Sequence, residues 1–197
     1  MRESRTGVDF SKHEHRVEIF KSEKNEIQID HFQVGSNNCK YIQFINTDRT
    51  LTVTGDYGNW VFCRPFVPSE DGYVSDGYWL EKLKILSEQD SALSFDSEET
   101  TKEIQELIDK GLEDYGYEGE ELSKAKEWFK ELLEEADDEL EYTFKAYRDY
   151  SKPDFIDYEQ IPFQKKVNNW LLIIFDAFDE ICKRLEEKQI KNEEEKK

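Results

Sequence analysis

The chain has no uncharged apolar stretch near the ~18 residues that a membrane-crossing helix requires. Its longest apolar run, Trp170 to Phe175, is six residues long and lies between charged segments. The amino terminus, MRESRTGVDFSKHEH, has no apolar core of the kind a secretory signal needs, so a cytoplasmic location is expected. Cysteine is scarce: Cys39, Cys63 and Cys182 are odd in number and dissimilar in spacing, which fits neither a disulfide framework nor a paired-thiolate metal site. Reduced thiols are expected, with Cys63 and Cys182 packed as small hydrophobes. A Gly-rich phosphate loop, a GxSxG elbow, an HExxH pair and a CxxC motif are all missing. No catalytic residue, metal ligand or cofactor is therefore assigned, and the chain reads as a non-enzyme.

Positive charge is also in short supply. Lys and Arg number 27 against 46 Asp and Glu, a net charge of −19. That balance disfavours direct binding to nucleic acid or to an anionic membrane, both of which rely on cationic surface. Histidine occurs three times. His13 and His15, beside Asp9 and Glu14, face the same way only if they sit in a strand, and a solvated amino-terminal segment is their plain reading. His31 alternates with Ile27 and Ile29, the pattern of a half-buried strand histidine.

What is present is the composition of a folding chain: 37% apolar and 14% aromatic residues. Short runs rich in branched and aromatic residues predict strands near 17–20, 27–34, 41–45, 51–54 and 59–66. Asn46-Thr47-Asp48-Arg49 and Gly55-Asp56-Tyr57-Gly58 supply two hairpin turns. Pro65 has no N–H, so the fifth strand ends there or forms a sheet edge. A loop and a short amphipathic helix over 79–86 follow. From Asp96 the spacing turns helical, with Ile104, Leu107, Ile108 and Leu112 on one face, and Leu122, Ala125, Phe129, Leu132, Leu133, Ala136 and Leu140 on the next. The last helix is predicted over about 164–188, with Val167, Trp170, Leu171, Ile174, Phe178, Ile181 and Leu185 on one stripe and Leu172, Ile173 and Phe175 off it. Such a helix is central or meets a partner, and a homodimer through it is one expectation. Asp176, Asp179 and Glu180 fall opposite the stripe and read as a solvated face; the polar tail KNEEEKK is expected to fray. The expected fold class is α+β: an N-terminal antiparallel β meander, about 17–90, packed against three to four C-terminal helices, about 96–190, in one domain over 1–197.

The negative charge is local. Residues 96–141 hold 19 acidic and 5 basic side chains. If the helix beginning near Glu120 is continuous to Leu140, Glu127, Glu131, Glu134, Asp138 and Glu141 project opposite its apolar face, with Glu135, Asp137 and Glu139 flanking. Carboxylates over 131–141 then recur about every 2.1 Å of axis, against one phosphate charge per ~1.7 Å of duplex DNA. The ridge has three readings: a solubilising face of good helix formers, an imitation of nucleic acid that occupies the basic nucleic-acid-binding groove of a partner protein, or a cation-binding surface, for which calcium fits poorly because the EF-hand loop spacing does not occur. Asp56, Tyr57, Asn59, Trp60 and Arg64 form a second constellation, either a hairpin packed inward or a partner-binding tip, since Tyr, Trp and Arg dominate hot spots.

The string YIQFINTDRTLTVTGDYGNWVFCRPFVPSEDGYVSDGYWLEKL, residues 41–83, with Gly111–Gly119 and DDELEYTFKAYR at 137–148, resembles a family of uncharacterised acidic proteins encoded by phages and prophages of Gram-positive bacteria. The resemblance rests most on GDYGNWVFCRPF. It implies a setting in the bacterial host cytoplasm and, by analogy, an inhibitor of the anti-CRISPR or anti-restriction kind acting on a host defence protein. A phage accessory or assembly protein that self-associates is the alternative.

Overall fold

In a computed structural model the chain forms two compact units, one built from Met1–Ala92 with Val167–Lys197, the other from Leu93–Lys166. Residues 4–34, 39–86 and 92–194 are described. In place of one domain divided near residue 90, the second unit is an insertion, and the last helix returns to the first.

The first unit carries an antiparallel meander of β1 (His13–Lys21), β2 (Glu26–Val34), β3 (Cys39–Asn46), β4 (Leu51–Gly55), β5 (Trp60–Phe62) and β6 (Leu83–Leu86), in that spatial order. The α+β class and the meander agree with the sequence pattern. Both expected hairpin turns form: the Thr47 amide donates to the Thr50 carbonyl at 2.9 Å, and Gly55 and Gly58 adopt φ of 139° and 92°. At Gly55 a Cβ would lie 2.0 Å from the Tyr41 carbonyl oxygen, so close cross-strand approach as well as φ demands glycine.

Two local expectations change here. The fifth strand stops at Phe62 rather than continuing to 66, and the segment expected as one helix over 79–86 splits into α2 (Asp76–Lys82) and β6. The reason is tertiary: β5 is short and central, and its unpaired backbone edge is satisfied by β6, with Val61 opposite Ile85. The short helix α1 (Pro68–Asp71) bridges β5 and α2.

Strand alternation puts Phe32, Ile42, Phe44, Leu51, Val53, Trp60 and Phe62 on one buried face. The last helix, α7 (Asn169–Glu194), covers them. Trp79 is the joint: its ring stacks on Phe66 at 4.0 Å and Phe175 at 5.1 Å, and meets Phe178 edge-on at 5.1 Å. α7 begins five residues later than expected, because Gln164 donates its backbone N–H to the Thr100 hydroxyl and Lys165–Val167 is the strand β8. Asn168 then caps the helix by accepting from the Trp170 amide at 2.8 Å. The helix also continues through Glu194, so residues 191–194 of the expected frayed tail are helical; the rest of that tail lies outside the described residues.

α7 is buried nearly all round from Leu171 to Phe178. Phe175 and Ile173, expected to be surplus apolar surface, lie in the core, and Leu172 packs against it. Trp170, expected on the buried stripe, is 45% exposed in the first turn. The expectation of a solvated face at Asp176 is overturned, because that face is covered by the amino-terminal segment. The Asp176 carboxylate, 5% exposed, accepts from the Ser4 hydroxyl at 2.7 Å, the Thr6 hydroxyl at 2.8 Å, the Arg5 amide at 3.0 Å and the Arg5 guanidinium at 2.9 Å. Arg5 also reaches Asp179 at 2.8 Å and Asp76 at 2.7 Å. Arg184 ties down the same segment further along, donating to the carbonyls of His13 at 2.6 Å and Phe10 at 2.7 Å.

The second unit contains a two-stranded sheet of β7 (Leu93–Phe95) and β8, then α3 (Ser97–Glu106), a π turn over Leu107–Gly111, α4 (Leu112–Asp114), α5 (Gly119–Glu134), α6 (Glu139–Tyr147) and a 3₁₀ turn at Tyr158–Gln160. Its core joins Ile104, Ile108 and Leu112 to Ala125, Trp128, Phe129, Leu132 and Ala136, and these to Tyr142, Ala146, Ile156 and Ile161.

Burial raises the Asp176 carboxyl, but the Arg5 amide, the Ser4 hydroxyl and the Arg5 guanidinium outweigh it and hold it below the ordinary carboxylate value. A depressed folded-state value contributes stability above about pH 4 that is lost as pH falls through it. Asp176→Ala is expected to cost about 3 kcal/mol at neutral pH, because it leaves a buried guanidinium short of a partner. Urea denaturation at pH 7 and pH 3 checks this, with the gap between wild type and variant narrowing at the lower pH. Gly55→Ala is expected to cost more than ~1 kcal/mol by the same measurement, through the clash with Tyr41.

Candidate functional site

The inserted unit concentrates the charge. Residues 93–166 carry 23 acidic and 10 basic side chains, a balance of −13 out of the chain's −19. The acidic ridge is not one helix, however. α5 ends at Glu134, the amides of Glu135 and Ala136 close a tight turn on the carbonyls of Leu132 and Leu133, and α6 starts at Glu139. Asp138 is the N-cap of α6, its carboxylate accepting from the amides of Leu140 at 2.8 Å and Glu141 at 3.1 Å. The physical reason lies in residue type: Asp prefers the N-cap, and a continuous helix would place like charges at 131/135, 134/138, 135/139 and 137/141 on neighbouring turns. Breaking it relieves that repulsion and turns the second row of carboxylates out on another helix. Leu140, expected on the apolar face of the unbroken helix, is instead 76% exposed.

The predicted carboxylates divide by their partners. Glu131 pairs with Lys145 at 2.6 Å, which brings α6 alongside the last turns of α5, and Lys145 also pairs with Asp149 at 3.0 Å. Asp149 is held at about 2, first by the Ser151 hydroxyl and amide and then by Lys145. Glu127, Glu134, Glu135 and Glu141 are exposed and make no ion pair among the described residues, and Asp137 and Glu139 share that condition. Five unpaired carboxylates, Glu134, Glu135, Asp137, Glu139 and Glu141, therefore lie on two adjacent helix ends and the turn between them, with Glu127 two turns further back on α5. The unit also has a groove of 920 Å³ beside the π turn, lined by Glu106, Asp109, Asp114 and Glu159 with Leu107 and Phe163.

The second predicted constellation is divided between the core and the exposed β4–β5 turn. Trp60 is fully buried in the sheet core, with its indole N–H donating to the Tyr57 carbonyl at 2.8 Å. Tyr57 packs against the same core, and burial raises its hydroxyl above the ordinary value. Asp56 accepts from the Tyr41 amide at 3.0 Å, and Asn59 from the Thr54 hydroxyl at 2.7 Å. Arg64 bonds Asp71 and the Pro65 carbonyl and lies 4.5 Å over the Phe66 ring. Each polar group closes the hairpin or secures α1; Trp60 and Tyr57 pack inward, while Asp56 and Asn59 stay exposed at the turn.

The amino-terminal histidines are not solvated. His13 is 3% exposed, stacked on Phe32 at 4.8 Å and edge-on to Phe10 at 5.0 Å, and burial lowers its basicity. The His15 ring bonds the fully buried Asp30 at 2.8 Å, and Gln28 donates to the same carboxylate at 2.9 Å. His31 is half-buried, as expected, with its Nδ1 3.3 Å from the Tyr41 hydroxyl. Among the described residues, no group of three or more His, Cys, Asp or Glu side chains is placed to hold a metal, and no helix is long and apolar enough to cross a membrane.

Of the cysteines, Cys182 is buried and its thiol is pushed up to about 12 by desolvation, whereas Cys63 is exposed rather than packed, because it follows the end of β5. A 550 Å³ cleft between the amino-terminal segment and α7, lined by Tyr73, Cys182 and Lys183, thus presents a thiol too basic to act as a nucleophile. The side chain of Cys39 lies outside the described residues.

No family model, curated protein or solved structure matches this chain.

Trp60→Ala is expected to cost about 3–5 kcal/mol, as deletion of a large buried side chain does. The denaturation midpoint reads this directly, since loss of a contact residue at a tip would leave it in place.

Proposed function

We propose that the chain is a non-enzymatic inhibitor of a nucleic-acid-processing protein, and that the acidic inserted unit occupies that protein's basic groove in place of DNA or RNA. The observation that carries this is the set of five exposed carboxylates without ion pairs at the α5–α6 junction, joined by Glu127 further back on α5. Unpaired like charges in one place destabilise a fold, by about 0.2–0.5 kcal/mol per neighbouring pair, so stability does not account for them. A duplex presents two rows of charge, and carboxylates on two helices approach that arrangement better than a single row does. Long-range attraction between a unit of −13 and a cationic groove also speeds capture. We further propose, on the resemblance alone, read chiefly in residues 41–83, that the target belongs to host defence systems of the anti-CRISPR or anti-restriction kind.

The variant Glu127→Gln, Glu134→Gln, Asp137→Asn, Glu141→Gln leaves the Asp138 cap and the Glu131–Lys145 pair intact. It is expected to keep or slightly raise the melting temperature while weakening capture of a DNA- or RNA-binding protein from host lysate by about tenfold or more at low salt. Capture by the wild type should fall as salt rises. Equal recovery by both forms, or recovery insensitive to salt, would remove the charge from the interface.

A further inference from the structure

α6 is apolar on two opposite faces. Tyr142 and Ala146 point into the core of the inserted unit, with the Tyr142 hydroxyl donating to the Pro162 carbonyl. Leu140, Phe144 and Tyr147 recur at i, i+4 and i+7 and are 76%, 54% and 37% exposed. The stripe continues beyond the helix: Tyr158, 56% exposed, stacks on Tyr147 at 5.8 Å. Single exposed apolar residues are ordinary, but four large ones in one place on so acidic a unit need a reason.

From this we infer that the outward stripe of α6 is a docking seam for a cationic amphipathic segment of a partner protein, one that presents large apolar side chains flanked by Lys or Arg. The inference rests on the functional proposal above and adds to it the source of specificity: charge brings the partner in, and the seam recognises it. Charge complementarity decides the occupant. The Leu140 end of the seam is surrounded by Asp137, Glu139 and Glu141, none of them in an ion pair among the described residues. Lys145, beside the seam, is neutralised by Glu131 and Asp149; at the far end Arg148 is exposed and the Lys152 ammonium lies 4.7 Å over the Tyr158 ring, so the acidic character belongs to the Leu140 end. A second copy of this chain would bring another −13 against the same surface, so self-docking is opposed. Aromatic residues also match the composition of interface centres, where Tyr and Phe are enriched.

The test uses the full chain and two synthetic 15-residue peptides of equal positive charge, one with Leu and Lys in helical amphipathic register, the other with every Leu replaced by Ser. Fluorescence anisotropy at low salt gives both affinities. The wild type is expected to bind the Leu/Lys peptide about tenfold more tightly than the Ser/Lys peptide, as burial of a few apolar side chains provides. L140S/F144S is expected to abolish that preference while leaving Ser/Lys binding and the melting temperature unchanged. The carboxylate variant described above should weaken both peptides alike and keep the preference. If the wild type shows no preference, or L140S/F144S retains it, the seam is overturned and the acidic reading stands. Binding of neither peptide overturns both. A concentration-dependent mass in sedimentation that L140S/F144S removes overturns the cationic occupant in favour of a second copy.

Discussion

The carboxylate of Asp176 enters the interior of the first unit on a helix that is apolar on almost every side, and the arrangement of that unit depends on how it is satisfied. A buried unpaired carboxylate is too costly for a fold of ordinary stability. The amino-terminal segment supplies what is needed: two hydroxyls, two amides and a guanidinium that Asp76 and Asp179 also hold. In doing so it covers the second apolar face of α7, while the sheet covers the first. Arg184 fastens the segment again at Phe10 and His13. One set of ion pairs thus allows a 26-residue helix to serve as the centre of the unit rather than as its edge.

The inserted unit is built on different terms. Its core is well filled, but its surface keeps both unbalanced charge and exposed aromatic residues. Neither property helps folding: like charges repel across neighbouring turns, and exposed Leu, Phe and Tyr invite non-specific association. Found together, on the same short helix and the turn before it, they are the two features on which the proposed recognition of a cationic partner rests, long-range attraction and short-range apolar contact acting in succession.

Much of this was legible in the chain. Alternating branched and aromatic residues marked five of the six strands of the meander, and Gly55 and Gly58 marked a turn that the backbone requires. Periodicity found the cores of α3, α5 and α7. The failures share a cause. β6 was read as helix because Leu83 to Leu86 has no strong strand pattern of its own; it is a strand because β5 leaves an edge open beside it. The continuous acidic helix was read from one apolar stripe, although Asp138 stands before an acidic first turn, the arrangement in which Asp96 caps α3. Trp60 and Arg64 looked like contact residues because aromatic and cationic side chains in a turn serve cores and interfaces equally, and only burial separates the two.

By itself the sequence determined the class of fold, the location of the negative charge, the hairpin turns and the absence of recognisable catalytic motifs, because each is set by residue type and short-range spacing. Tertiary structure alone decided which carboxylates are spent on caps and ion pairs and which remain free, and which apolar residues of α6 and α7 face a core. Those outcomes depend on partners distant in sequence: Arg5 is 171 residues from Asp176, and Lys145 is 14 from Glu131. No local pattern specifies such meetings, since a charge or an apolar side chain acquires its meaning only from what the folded chain places beside it.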